Sequence, residues 1–436
     1  CGGRFSMNAM HRCAVIGVLD NGTQGLTAQA DKILRCADVV IGGTRTLHLF
    51  ANVLKDDCTT HDLTGKMTQV PQWIRAAQQQ GLRCAVLATG DPLCHGIANY
   101  LAAQLCFDAL EILPNTSTIQ LACARVGLPW QDLHIVSIHS KDAGEWQEGA
   151  TPEHGLYALR RALMQYDKLA VLTSPENTPD RIARLLLTAN LQHEFQMAIA
   201  ENLCGDDENI ITDLDIASIA QRRFAELNVV LLWRNTVKKS AAIFGIADDQ
   251  FQQRYPEKGL ITKREVRAVS LARMQLRRGS VVWDIGAGSG SVGVEAARLC
   301  PQGHVYAVEK NAGDCENALA NRNYFSLHNY TLLHAKAPEG LQNWPDPDAV
   351  FIGGSGGELA ALITLILQRL KPQGCLVMNF VTFENVAAAI AALKASGAEW
   401  DITQMQCSRS KPVLDMHRLA AENPVWIVCA KKAEAA

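Results

Sequence analysis

Apolar, β-branched runs recur along the chain, and several are followed by a stretch with helical spacing. In the first half, strands are predicted at Cys13–Val18, Val39–Gly42, Ala85–Ala88, Leu110–Leu113, Ile135–Ser137, Leu169–Leu172, Met197–Glu201 and Val229–Trp233. Ala28–Cys36 and Asp180–Ala189 carry apolar residues at helical periodicity between them. Such alternation argues for α/β layers. The texture changes at "NTVKKSAAIFGIADDQFQQRYPEKG", residues 235–259, which is polar with scattered aromatics and no clean period. That is the pattern of a linker or docking segment. A second series follows: helix Arg264–Leu276, strand Val281–Ile285, helix Val292–Leu299, then strands Val305–Glu309, Thr331–His334, Ala349–Ile352, Cys375–Phe380 and Trp426–Cys429. Two α/β domains are expected, over 11–235 and 259–436, with a linker at 236–258.

Composition narrows the function class. The 436 residues exceed one ordinary core, and 48% apolar with 19% charged residues fits a soluble globular protein. A net charge of −3 gives no basic excess that would point to nucleic acid or an anionic membrane. The 14 cysteines are scattered, with no C-x-x-C pair and no H-E-x-x-H, so neither a metal site nor a disulfide framework is expected. Reduced core thiols in a cytoplasmic protein are the expectation. No apolar run reaches about 18 residues, the length of a membrane span. Leu359–Leu370 is interrupted by Gln368 and Arg369 and reads as a core helix. The opening "CGGRFSMNAM" lacks a signal peptide's long apolar region, and the folded chain is expected to begin near Met10.

The chemistry concentrates in "WDIGAGSGSVGVE", residues 283–295. Gly288, Gly290 and Gly293 spell G-x-G-x-x-G, while Asp284, Gly286, Gly288 and Gly290 spell D-x-G-x-G-x-G. A buried strand enters the loop and a helix leaves it. Glycines there allow a tight turn and the close approach of a ligand. Glu309 ends the next strand, roughly 20 residues on, where an acidic residue binds ribose hydroxyls. Asp284 separates two ligands. A carboxylate beside the turn would repel a pyrophosphate, but it favours S-adenosylmethionine (SAM), which carries a sulfonium and an amino group. The pattern resembles the usual first motif of the SAM-dependent methyltransferase fold, which implies a Rossmann-like class I domain. "DAVFIGGSGG" (348–357) adds a second glycine turn at a strand end, where such sheets form their ligand crevice.

From Ile246 onward the chain resembles the carbon-15 methyltransferase and decarboxylase domains of cobalamin synthesis. The matching stretches are "GLITKREVRA", "WDIGAGSGSVGVEAARL", "DAVFIGGSGG" and "NPVWIV". The first half resembles the two-lobed tetrapyrrole (corrin/porphyrin) methylase family through "TGDPLCHGIANYL" (89–101), "PNTSTIQLACARVGLPWQDLHIVSIHSK" (114–141), "LTSPENTPDRIARLLL" and "AENLCGDDENI". Both halves in this order resemble the fused precorrin-6Y C5,15-methyltransferases (decarboxylating). The resemblance implies SAM as cofactor and precorrin-6B or its cobalt analogue as substrate. It implies methylation at carbons 5 and 15 with loss of the ring-C acetate carboxyl, giving precorrin-8, and a homo-oligomer. A methyltransferase of another tetrapyrrole, or a chain with one silent domain, stays open.

For SAM the resemblance implies Gly90, Asp91, Ser117 and Thr118 in the first domain, beside Asp284, Gly286, Gly288, Gly290 and Glu309 in the second. Asp91 is also expected to cap the helix that follows it. The substrate is ringed by carboxylates, which arginine forks suit. Lys263, Arg264, Arg267, Arg409 and Lys411 are the candidates. No catalytic residue is assigned, because positioning and exclusion of water carry much of a methyl transfer. The chain departs from the family at "GVLDNGT" (17–23), which lacks the usual Pro, at Cys94-His95, and at Lys336, where an acidic residue usually stands.

Overall fold

The computed structural model describes residues 12–139, 142, 144–235, 242–254, 261–354 and 357–432. The chain packs as two compact units, Cys1–Glu145 with Gln165–Thr236, and Trp146–Met164 with Val237–Ala436.

In the first unit, a five-stranded parallel sheet has the order Thr59–Asp62, Val39–Gly42, Cys84–Thr89, Cys13–Val18, Leu110–Leu113. Its central strands are buried along almost their whole length, as parallel strands covered on both faces are. Helices pack on it through Leu34 and Phe50 on one face and Ile74, Ala98 and Leu101 on the other. A second, mixed sheet runs His134–Ser137, Lys168–Leu172, Asn228–Arg234, Phe195–Glu201, Asn209–Ile211, with only the first pair parallel. Helix Thr118–Val126 packs Ile119, Ala122 and Cys123 against this sheet.

The second unit holds a seven-stranded sheet ordered Tyr330–His334, His304–Glu309, Val281–Ile285, Ala349–Ile352, Cys375–Phe380, Val425–Lys431, Glu399–Met405. The first five strands are parallel and the last two antiparallel. The strand order reverses beside Val281–Ile285, so the crevice of this doubly wound sheet opens where the glycine loop lies.

The predicted strands are all present, within one to two residues at their ends. Five strands have no counterpart in the reading: Thr59–Asp62, Asn209–Ile211, Glu399–Met405, and the hairpin Ser408–Val413 with Met416–Ala421. These are edge or projecting strands with polar composition, so they lack the apolar run that marks a buried strand.

One expected boundary is corrected. An uninterrupted domain over 11–235 is not what packs, since residues 146–164 belong with the second half. Leu156, Tyr157, Leu159 and Leu163 of this segment are buried, and Tyr157 Oη lies 2.8 Å from His304 Nδ1. Of the two readings of residues 236–258, linker or docking segment, the described residues fit the second. Ile246 and Phe251 sit in the second unit's core, and the Glu295 carboxylate accepts from the amides of Gly245 and Ile246 at 2.8 and 3.0 Å.

Candidate functional site

In the second unit the glycine loop joins strand Val281–Ile285 to helix Ser291–Leu299. Gly286, Gly288 and Gly290 all have positive φ, a conformation that side chains with a Cβ rarely adopt. A Cβ on Gly286 would strike the backbone of Gly354, whereas one on Gly288 would face open space. The loop is therefore braced on one side and approachable on the other.

Asp284 lies beneath this loop, 1% exposed. Its Oδ2 accepts from the Gly293 amide at 3.0 Å, and its Oδ1 is buried with no hydrogen-bond partner among the described residues. Burial pushes the carboxyl up to about 7, the Gly293 amide opposes that, and nearby Glu309 adds to it. Glu309 ends its strand with both oxygens engaged, accepting from Gly288 N and Asn311 N at 2.9 Å each. Above it a cleft of about 440 Å³, open to solvent, is lined by Gly286, Val308, Glu309, Lys310, Ala335, Lys336, Ala337 and Gly354. Lys336 is held 3.2 Å from Glu358, with both side chains about half exposed.

The five cations expected to meet substrate carboxylates divide. Arg267 is fully buried: its guanidinium pairs with Glu295 at 2.8 Å and Asp248 at 3.1 Å, donates to Thr262 O at 2.6 Å and to Ile246 O, and lies over the Phe251 ring. That corrects the expectation for Arg267, which ties its helix to the core. Arg409 is likewise committed, to Asp248 at 2.8 Å and to Glu265. Arg264 is exposed and only loosely paired with Glu265 at 3.7 Å. Lys263 precedes the same helix, and Lys411 lies exposed on the projecting hairpin.

In the first unit a larger cleft, about 730 Å³, opens between the two sheets. Thr118 and Thr89 line it together with Asp20, Arg45, His139, Thr173 and Asn228. The turn Gly17–Thr23 contributes Leu19 and Asp20, and Asp20 pairs with Arg45. Gly90 has positive φ and donates its amide to Val18 O at 2.8 Å. A Cβ on Gly17 would strike the Gly90 carbonyl, so this turn is shaped by close backbone approach despite its missing Pro. Ser117 spends its hydroxyl on capping helix Thr118–Val126, in a reciprocal box with Gln120. Asp91 accepts from Leu93 N at 2.8 Å; the cap of the following helix is Gly96, not Asp91. Asp20, Arg45, Thr173 and Asn228 were not singled out as site residues by sequence, because a lining made by two sheets leaves no contiguous motif. His139 was noticed only as lying in a matched stretch; here its Nδ1 is 3.1 Å from Ser137 Oγ.

Comparison with known proteins finds two families along the chain, the first match running through residues 146–164. Residues 12–217 match the tetrapyrrole (corrin/porphyrin) methylases and residues 253–432 match the precorrin methyltransferase domain. A precorrin-6Y C(5,15)-methyltransferase [decarboxylating] of Sinorhizobium sp is 30% identical over 86% of both chains. A cobalt-precorrin-6B C(15)-methyltransferase (decarboxylating) of Salmonella typhimurium is 39% identical over 40% of this chain and 90% of its own. A crystal structure of a precorrin-6y C5,15-methyltransferase from Geobacter metallireducens GS-15, 41% identical, covers 44% of this chain and 100% of its own with a TM-score of 0.42. With both halves matched in order, and the likeness running through most of its length, the chain belongs to the family of precorrin-6Y C(5,15)-methyltransferases (decarboxylating).

Proposed function

We propose that the chain methylates precorrin-6B, or its cobalt analogue, at carbon 5 in the first unit's cleft. In the second unit's cleft it methylates carbon 15 and removes the ring-C acetate carboxyl. The observation that carries this is the presence of a separate cleft in each unit, each lined by residues within the stretch that matches its own methylase family, apart from the few beyond residue 217.

SAM is the cofactor of this reading, and when bound it supplies an electrophilic methyl group. The second cleft fits it: Asp284 Oδ1, unpartnered among the described residues, is a buried carboxyl oxygen under a loop whose Gly288 faces open space, and a cation above would favour its anionic form. Gly286, Gly288 and Gly290 would let the ligand lie against backbone, and Glu309 would turn toward ribose hydroxyls. Lys336 offers donors where a carboxylate is usual, so the adenine edge would be read by backbone around Ala335 and Ala337. In the first cleft Thr118 and Thr89 give hydroxyls, with Gly90, Asp91 and Ser117 shaping the turn behind them. Arg264, with Lys263 and Lys411, is the remaining set for substrate carboxylates. Fixing the reacting carbon in line and excluding water is the residues' main task. Self-association and a cytoplasmic location belong to the same proposal.

Mass spectrometry of the product from purified chain, SAM and precorrin-6B tests it. Gain of two methyl groups with loss of one carbon dioxide is expected. Gain of one methyl alone would show a silent unit, and an unchanged substrate would overturn the proposal.

A further inference from the structure

A buried tyrosine stands under the second unit's glycine loop, outside every role assigned above. Tyr330 begins the edge strand Tyr330–His334 and is fully buried. A Cβ built on Gly290 would stand 2.9 Å from its hydroxyl. One built on Gly293 would stand 2.6 Å from its Cε2 and 2.6 Å from Asp284 Oδ2. The ring thus fills the space both glycines leave open, directly beside the Asp284 carboxylate. Among the described residues its hydroxyl has no hydrogen-bond partner, and neither has Asp284 Oδ1. A desolvated, unpaired hydroxyl is destabilising, and a phenylalanine would fill the same space without it. Packing alone therefore does not account for the hydroxyl.

We propose that Tyr330 is a positioning residue of the second cleft: from beneath the loop, its hydroxyl steadies the Asp284 carboxylate as the fixed counter-charge to a cationic ligand held above. This rests on the reading that the cleft takes SAM. The groups around Asp284 and Tyr330 come from four elements. The Gly293 amide approaches from its helix, Glu309 from the neighbouring strand and Tyr330 from the edge strand, while Arg322 and Cys315 of helix Ala312–Tyr324 face Tyr330. Burial and Glu309 make the anion costly and the Gly293 amide favours it; in this proposal a hydroxyl dipole turned toward the carboxylate adds to the favourable side. Tyr330 in turn stays protonated, since burial and then Asp284 push its phenol well up.

SAM binding to the full chain between pH 6 and 9, with thermal unfolding measured on the same samples, tests this. Glu309→Ala, run beside it, identifies the share of binding that belongs to the second cleft. In the wild type that share should tighten as pH rises through about 7. In Tyr330→Phe the transition should move upward. Affinity at pH 7 should fall about 3–10-fold, recover at pH 9, and be accompanied by an equal or higher Tm. A pH profile unmoved by Tyr330→Phe, a loss as large at pH 9 as at pH 7, or a lowered Tm would overturn the role of Tyr330 alone. SAM binding unaffected by Glu309→Ala would overturn the reading of the cleft itself, and the role of Tyr330 with it.

Discussion

The glycine turns of the two clefts are built against different things. In the first unit Gly17 is pinned by backbone: a Cβ there would meet the Gly90 carbonyl and stand 2.8 Å from Asn115 Cβ, and Asn115 Nδ2 donates to Gly17 O at 3.0 Å. The nearby lining mixes hydroxyls, the Asn228 amide, His139, Glu226 and a paired Asp20–Arg45 with apolar side chains such as Leu19, Leu121 and Leu172. In the second unit one face of the loop stays open at Gly288, and the charge lies underneath, on Asp284 and Glu309. In the proposed reading the second relies on the poorly solvated Asp284 carboxylate, whose charge counts for more in a low-dielectric floor than at a surface.

Substitutions that separate the clefts should have the largest effects. Gly286→Val forces a side chain into the Gly354 backbone at positive φ. It should cut carbon dioxide release at least about 100-fold while a singly methylated product still forms, because misplacement by an ångström is enough to disable transfer. Gly17→Val should give the reverse product pattern by mass spectrometry. Next comes Arg267→Met, which leaves Glu295 buried without its partner. Calorimetry should show the second unit destabilised by about 3–5 kcal/mol, with the first unit's transition unmoved. Smallest is a pH effect confined to the second unit. Burial holds His304 down to about 4, so the folded state binds fewer protons than the unfolded one between that value and about 6.5. Its stability should therefore fall as pH drops through that window, by up to about 3 kcal/mol, and His304→Gln should flatten the dependence.

The second cleft was the more legible in sequence, for a physical reason. Its loop is contiguous, so Asp284, the three glycines and the strand end at Glu309 appear at fixed spacing. The first cleft draws Leu19, Thr89, Leu172 and Asn228 from strands far apart in sequence, and no local pattern announces such a lining. Charge was the least legible feature. Arg264 and Arg267 stand three apart in one matched stretch, yet one points to solvent and the other is the most enclosed cation of its helix. Only the positions of Glu295 and Asp248, remote in sequence, distinguish them. Tyr330 was passed over because an aromatic at the head of a strand reads as ordinary core.

The segment 146–164 bears on how the protein is made. Synthesis delivers Tyr157 well before His304, Thr331 and the rest of the fold that encloses it. The second unit is thus assembled from two separated stretches of the message, and its earlier piece must wait on the ribosome for most of the chain to follow. A gene cut at the junction near residue 240 would encode a second enzyme without the strap that covers His304, however natural that cut looks on a map of the two families.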